Sequence, residues 1–96
     1  MGLSIARVGA DYATAHTRGD TTHPPSPYAS NGNTVYVNGL KAVGVGDSTN
    51  CGEKALQGSG TVFINGKPVH RNSDLCDSHY SFSPSTCVSG SNVYAG

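Results

Sequence analysis

The residues able to do chemistry in this 96-residue chain are few and unevenly placed: three cysteines, four histidines and a single glutamate. Acid–base catalysis by paired carboxylates is poorly served by that set. The serine-rich chain has no Gly-x-Ser-x-Gly nucleophile elbow, and Gly44-Val45-Gly46 leads into neither a helix pattern nor a phosphate-binding Lys-Ser/Thr. Metal chemistry remains. His16 and His23 fall in residues 11–33, Cys51 in 47–58, and Cys76, His79 and Cys87 in 74–90. His16 and His79 each stand five residues past an aspartate, Asp11 and Asp74, and Cys51 stands four past Asp47. Imidazole nitrogen and thiolate sulfur in a tetrahedral cluster suit Zn²⁺, and a shell filled by protein ligands is structural rather than catalytic. An odd cysteine count argues against a pure disulfide framework. Cys76 and Cys87 either form a disulfide across their stretch or lend one member to the metal shell. His70, inside Pro68-Val69-His70-Arg71, reads as a surface or edge residue.

The elements that must position these side chains repeat. Asn33-Thr34-Val35-Tyr36-Val37-Asn38-Gly39 matches Gly60-Thr61-Val62-Phe63-Ile64-Asn65-Gly66, and Asn92-Val93-Tyr94-Ala95-Gly96 is a shorter copy. Each run is β-branched and aromatic, the composition of a strand. The Asn-Gly pairs signal two-residue hairpin turns, because a type I′ turn needs positive φ at both central positions. A second strand follows, ending on an aspartate eight residues past the glycine at Asp47 and at Asp74. Residues 4–11 have the same form, so the chain opens on a second half-repeat and closes on a first. The reading is all-β: three hairpin repeats (about 4–39, 40–66 and 67–96) in one domain, with three long loops. Arranged about a pseudo-threefold axis, the loops bring their histidines and cysteines together.

Composition narrows the function classes. Six Lys+Arg against six Asp+Glu give zero net charge, which excludes an electrostatic nucleic-acid binder. Seventeen residues are Leu, Ile, Val or Phe, a small core for which a metal would serve as a staple. No apolar run reaches the ~20 residues of a transmembrane helix, and the start lacks the basic and long apolar regions of a signal peptide.

The half-repeats Lys67-Pro68-Val69-His70-Arg71-Asn72-Ser73-Asp74 and Ser4-Ile5-Ala6-Arg7-Val8-Gly9-Ala10-Asp11 resemble degenerate copies of the Pro-Ala-Ala-Arg-x-Gly-Asp motif of PAAR-repeat proteins. Gly58-Ser59-Gly60-Thr61-Val62-Phe63-Ile64-Asn65-Gly66 resembles the strand that accompanies it. Arg is missing from the middle copy, Lys41-Ala42-Val43-Gly44, and Ser73 replaces Gly in the third. In length and lack of extension the chain looks like the stand-alone spike-tip members of T-even-type contractile-tailed bacteriophages. The resemblance implies a small pointed cone, with one Zn²⁺ or iron near its apex held by three His and one Cys. Here those map onto His16, His23, His79 and Cys51. It also implies a non-enzymatic role: the base caps a homotrimeric β-helical spike, VgrG or a phage baseplate spike, and the cone leads through the target's outer membrane. The expected location is the tip of a virion tail spike, after synthesis in the bacterial cytoplasm. Val35, Val62, Val93 and Tyr94 are the expected spike contacts. The competing reading is a stand-alone secreted metal-binding or toxin-associated domain, for which the chain has no room beyond its last repeat.

Overall fold

A computed structural model of the chain describes residues 2–18, 21–29, 31–50, 52–76 and 85–96. All regular structure in them is β. Two ribbons form where the Asn-Gly pairs direct them. β6 (Tyr36–Val37) pairs with β7 (Leu40–Lys41), and β8 (Phe63–Ile64) with β9 (Lys67–Pro68). The turns take positive φ at both positions: 52° and 80° at Asn38-Gly39, 47° and 79° at Asn65-Gly66. That is the mirror-image twist which suits a tight hairpin. The third ribbon joins the two ends of the chain. β12 (Tyr94–Ala95) pairs with β1 (Leu3–Ser4) in the same register, Leu3 opposite Ala95. The opening and closing half-repeats thus complete one another.

Inside the ribbons, the segments 5–7, 42–44 and 69–71 bridge pairwise: Ile5 with Arg71, Arg7 with Ala42, Gly44 with Val69. Their backbones close a triangle. Ala6 N donates to His70 O at 2.9 Å, His70 N to Val43 O at 2.8 Å, and Val43 N to Ala6 O at 3.0 Å. Each segment satisfies its neighbour, so none presents the unpaired edge that invites aggregation. On one side of the triangle lie Ile5, Val37, Ala42, Ile64, Val69 and Ala95; on the other lie Ala6, Ala13, Tyr28, Val43, Ala55, Cys76 and Cys87.

The recurring aspartates lock the triangle's corners. Their Oδ2 atoms accept the backbone N–H of Arg7, Gly44 and Arg71 at 2.9, 2.8 and 2.9 Å, for Asp11, Asp47 and Asp74 respectively. Arg7 and Arg71 add bidentate guanidinium pairs to the same carboxylates, the strongest geometry for such a pair. The middle corner has no arginine. Lys67, from the neighbouring ribbon, reaches Asp47 Oδ1 at 2.7 Å instead. Its stem occupies the missing side chain's space: a Cβ on Gly44 would stand 3.1 Å from Lys67 Cβ. The turn before each aspartate is left-handed, at Gly9, Gly46 and Ser73. In the first copy Ala10 intervenes before Asp11.

The stretches read as loops carry further strands. β2 (Tyr12–Ala13), β5 (Ser26–Pro27), β10 (Leu75–Cys76) and β11 (Ser85–Val88) form one sheet in the order β10-β11-β2-β5. β3 (His16–Arg18) and β4 (Thr21–His23) form a separate hairpin. These strands are two to four residues long, too short for any alternation of polarity to register. The molecule measures 37 × 25 × 22 Å along its principal axes, longer than it is wide.

Candidate functional site

Of the four expected metal ligands, the structure brings His16 and His23 together. They stand directly opposite each other across β3 and β4, the closest relation residues on neighbouring strands can have. Cys51 and His79 lie outside the described residues. Among the described residues, no three His, Cys, Asp or Glu are gathered around one ion position. Two histidines in register on one hairpin are residue types that suit Zn²⁺ or iron.

The structure also holds a buried polar network that the sequence did not announce. His70 is completely buried, which corrects the surface or edge role read from its strand. Its register partners in the triangle are Ala6 and Val43, both interior. His70 Nδ1 lies 2.6 Å from Gln57 O and donates to it; Nε2 accepts from the Tyr28 hydroxyl at 2.8 Å. This tautomer follows because a carbonyl can only accept. With both ring nitrogens engaged, His70 is no substitute for a metal ligand. The Tyr28 oxygen also meets Cys76 Sγ at 3.2 Å. Burial, reinforced by the two neighbouring thiols, drives the Tyr28 pKa up, and burial pushes Cys87 up to about 12. Burial also lowers the His70 pKa. Tyr28, His70 and Cys87 are therefore neutral at pH 7. Cys76 and Cys87 are both thiols, so the expected alternative of a disulfide between them is not what the structure contains. Glu53, wholly buried nearby, accepts from Ser85 Oγ at 2.8 Å.

The expected contact residues lie on or beside the ribbons. Val35 and Val93 are exposed, Val62 is half-buried against the core, and Tyr94 is 61 % exposed. Tyr36 and Phe63, absent from the expected set, are 60 % and 58 % exposed. Aligning the three copies puts Tyr36, Phe63 and Tyr94 in one column, a signal the sequence already held.

Three ribbons, a closed backbone triangle and an outlying histidine pair define a small all-β structural domain with internal threefold repetition. The PAAR motif matches residues 18–79 of the chain, which belongs to that family. The family's proteins are structural: they sharpen the VgrG spike tip of contractile injection systems and, in general, bind metal. No curated protein matches the chain.

Proposed function

We propose that this chain is the tip protein of a contractile-tail spike, closest in kind to the stand-alone tips of T-even-type phage baseplates. It caps one homotrimeric β-helical spike, sharpens it and leads it through the target's outer membrane. The observation that carries this reading is the triplication: one chain offers three ribbons of matching register, one for each chain of a three-chain partner. A single Zn²⁺, or iron in its place, held by His16, His23, Cys51 and His79, would tie the far loops together and stiffen the point. The chain carries no catalytic role in this reading. Its location is the end of a virion tail, reached by assembly in the host cytoplasm.

The test is co-elution of the purified chain with a VgrG-type spike trimer, with mass measured by light scattering. One chain per trimer is expected; three chains per trimer would overturn the symmetry match. Elemental analysis of chelator-free protein should return about one metal ion per chain, and a markedly lower ratio would remove the metal from the account.

A further inference from the structure

Three large side chains remain in solvent where the fold has no use for them. Tyr36, Phe63 and Tyr94 are 60, 58 and 61 % exposed. They precede Val37, Ile64 and Ala95, which are buried at 4, 4 and 2 %. Strand alternation alone would give one exposed residue per ribbon, but not the same residue class at the same exposure three times. The three copies differ elsewhere. The position after each turn holds Leu3, Leu40 and Lys67, and one corner of the triangle has lost its arginine. The aromatic column is the exposed feature that the three copies keep in common.

Area argues for an occupant. A full aromatic side chain offers about 150–250 Å², so at these exposures the three contribute roughly 350 Å². Leu3 and Leu40 stand opposite the buried Ala95 and Val37, on the other face of their ribbons, so the ring of three aromatics by itself already falls within the ~300–600 Å² of a monomer's largest apolar patch. A standard interface takes about 800 Å² from each partner. The ring carries little charge: Lys67 is held by Asp47, and Lys41, which stands opposite Tyr36, has its Nζ on the Asn31 carbonyl at 2.9 Å.

We infer that Tyr36, Phe63 and Tyr94 are the anchors of the docking interface, each entering an equivalent apolar socket supplied by one chain of a homotrimer. This rests on the spike-capping reading and adds to it which residues carry the affinity and what the partner must present. The sockets hold the ring and make no required bond to a hydroxyl, since Phe63 stands in the same column as two tyrosines. The valines beside the anchors exclude water and contribute little individually, the usual division between anchor and rim.

The probe is a VgrG-type spike trimer, titrated with the full chain by calorimetry. Each single change, Tyr36→Ala, Phe63→Ala or Tyr94→Ala, should weaken binding about 30-fold, and the triple change should abolish it. Tyr36→Phe and Tyr94→Phe should bind within threefold of wild type. Tyr12→Ala, exposed but off the ribbons, should do the same. Thermal melts should match wild type throughout, because the altered side chains are exposed. If wild type binds and the triple alanine variant binds within threefold of it, the anchors are wrong while the capping reading stands. A tenfold loss in either Tyr→Phe variant would overturn the apolar socket. If wild type fails to bind the trimer, the capping reading and this inference fall together. A wild-type dimer dispersed by the triple alanine change would make a second copy the occupant and overturn the trimer.

Discussion

Tyr28→Phe tests whether the buried network holds the fold together. The change removes one oxygen and almost no volume, so no cavity term enters. Tyr28 is 1 % exposed and His70 is completely buried. The lost hydroxyl donates to His70 Nε2 at 2.8 Å and meets Cys76 Sγ at 3.2 Å. A neutral hydrogen bond contributes about 1 kcal/mol net, and leaving the buried imidazole nitrogen with only the weak Cys76 thiol at 3.6 Å costs about 1–2 kcal/mol more. The expected loss is about 2–3 kcal/mol, which lowers Tm by about 10–20 °C in a domain of this size. Denaturant titration at pH 7.5 with free Zn²⁺ held constant measures it. In the double variant Tyr28→Phe/His70→Leu both polar ends of the bond are gone. Its loss should fall short of the sum of the single losses by at least about 1 kcal/mol, the signature of coupled neighbours. A Tyr28→Phe protein within about 0.5 kcal/mol of wild type, below any buried hydrogen bond, or strictly additive losses, would refute the reasoning.

Acid should weaken the fold in two stages. Burial lowers the His70 pKa, so its contribution is full above the unfolded value near ~6.5 and is lost as pH falls below it. Wild type should lose up to about 1.4 kcal/mol per pH unit more than His70→Leu there, at saturating Zn²⁺; parallel curves would remove His70 as the cause. Burial pushes the Asp11 carboxyl up, but hydrogen bonds from Arg7, Ser89 and Gly90 outweigh it and hold the pKa low. That contribution disappears only as pH drops below about 4, and Asp11→Asn should flatten the curve in that range. Gly44→Arg alone should destabilise by about 1–3 kcal/mol through overpacking against Lys67. Gly44→Arg/Lys67→Leu should recover most of the loss by rebuilding the arginine pair with Asp47; a double variant no better than the single would show that the two positions are not exchanged. His16→Ala should reduce bound metal per chain below one and lower Tm, since metal binding is coupled to folding, whereas unchanged metal content would take His16 out of the shell. Native protein treated with iodoacetamide at pH 8 should show no label at Cys76 or Cys87 by mass spectrometry, both being buried and the Cys87 thiol pushed up to about 12; prompt labelling would contradict the burial.

The ribbons were legible because their instructions are local. Asn38-Gly39 and Asn65-Gly66 specify a turn, and Thr-Val-aromatic specifies the strand before it. The half-repeats at the two ends were legible, but not that β1 covers β12: the last copy has no turn of its own to announce a partner strand. What escaped depends on contacts distant in sequence. β2 and β11 pair across more than seventy residues, Ala13 opposite Cys87, and no two-residue pattern encodes that. His70 looked superficial because its own strand was read alone; its burial comes from standing third in the triangle with Ala6 and Val43. The missing arginine of the middle copy read as degeneration. In space, Lys67 supplies the charge from twenty residues away, and Gly44 is small because that lysine passes over it. Of the candidate metal ligands, type and spacing raised all four, and the β3–β4 register accounts for the pairing of His16 with His23.

The ribbon made by β1 and β12 has a topological consequence. In the other two ribbons a pair of residues connects the strands: Asn38-Gly39 between Val37 and Leu40, Asn65-Gly66 between Ile64 and Lys67. At the third, Ala95 and Leu3 are partnered in the same way, and beside them stand Gly96 and Gly2. Gly2 lies so close to the opposite strand that a Cβ on it would meet Tyr94 Cβ at 2.8 Å. With Met1 removed, joining Gly96 to Gly2 would supply a Gly-Gly turn of the length and backbone freedom its two counterparts use. The third ribbon thus matches the other two in register at the place where they have a turn. Opening a chain joined in that way between Asn38 and Gly39, or between Asn65 and Gly66, should leave the strand pairs of all three ribbons intact.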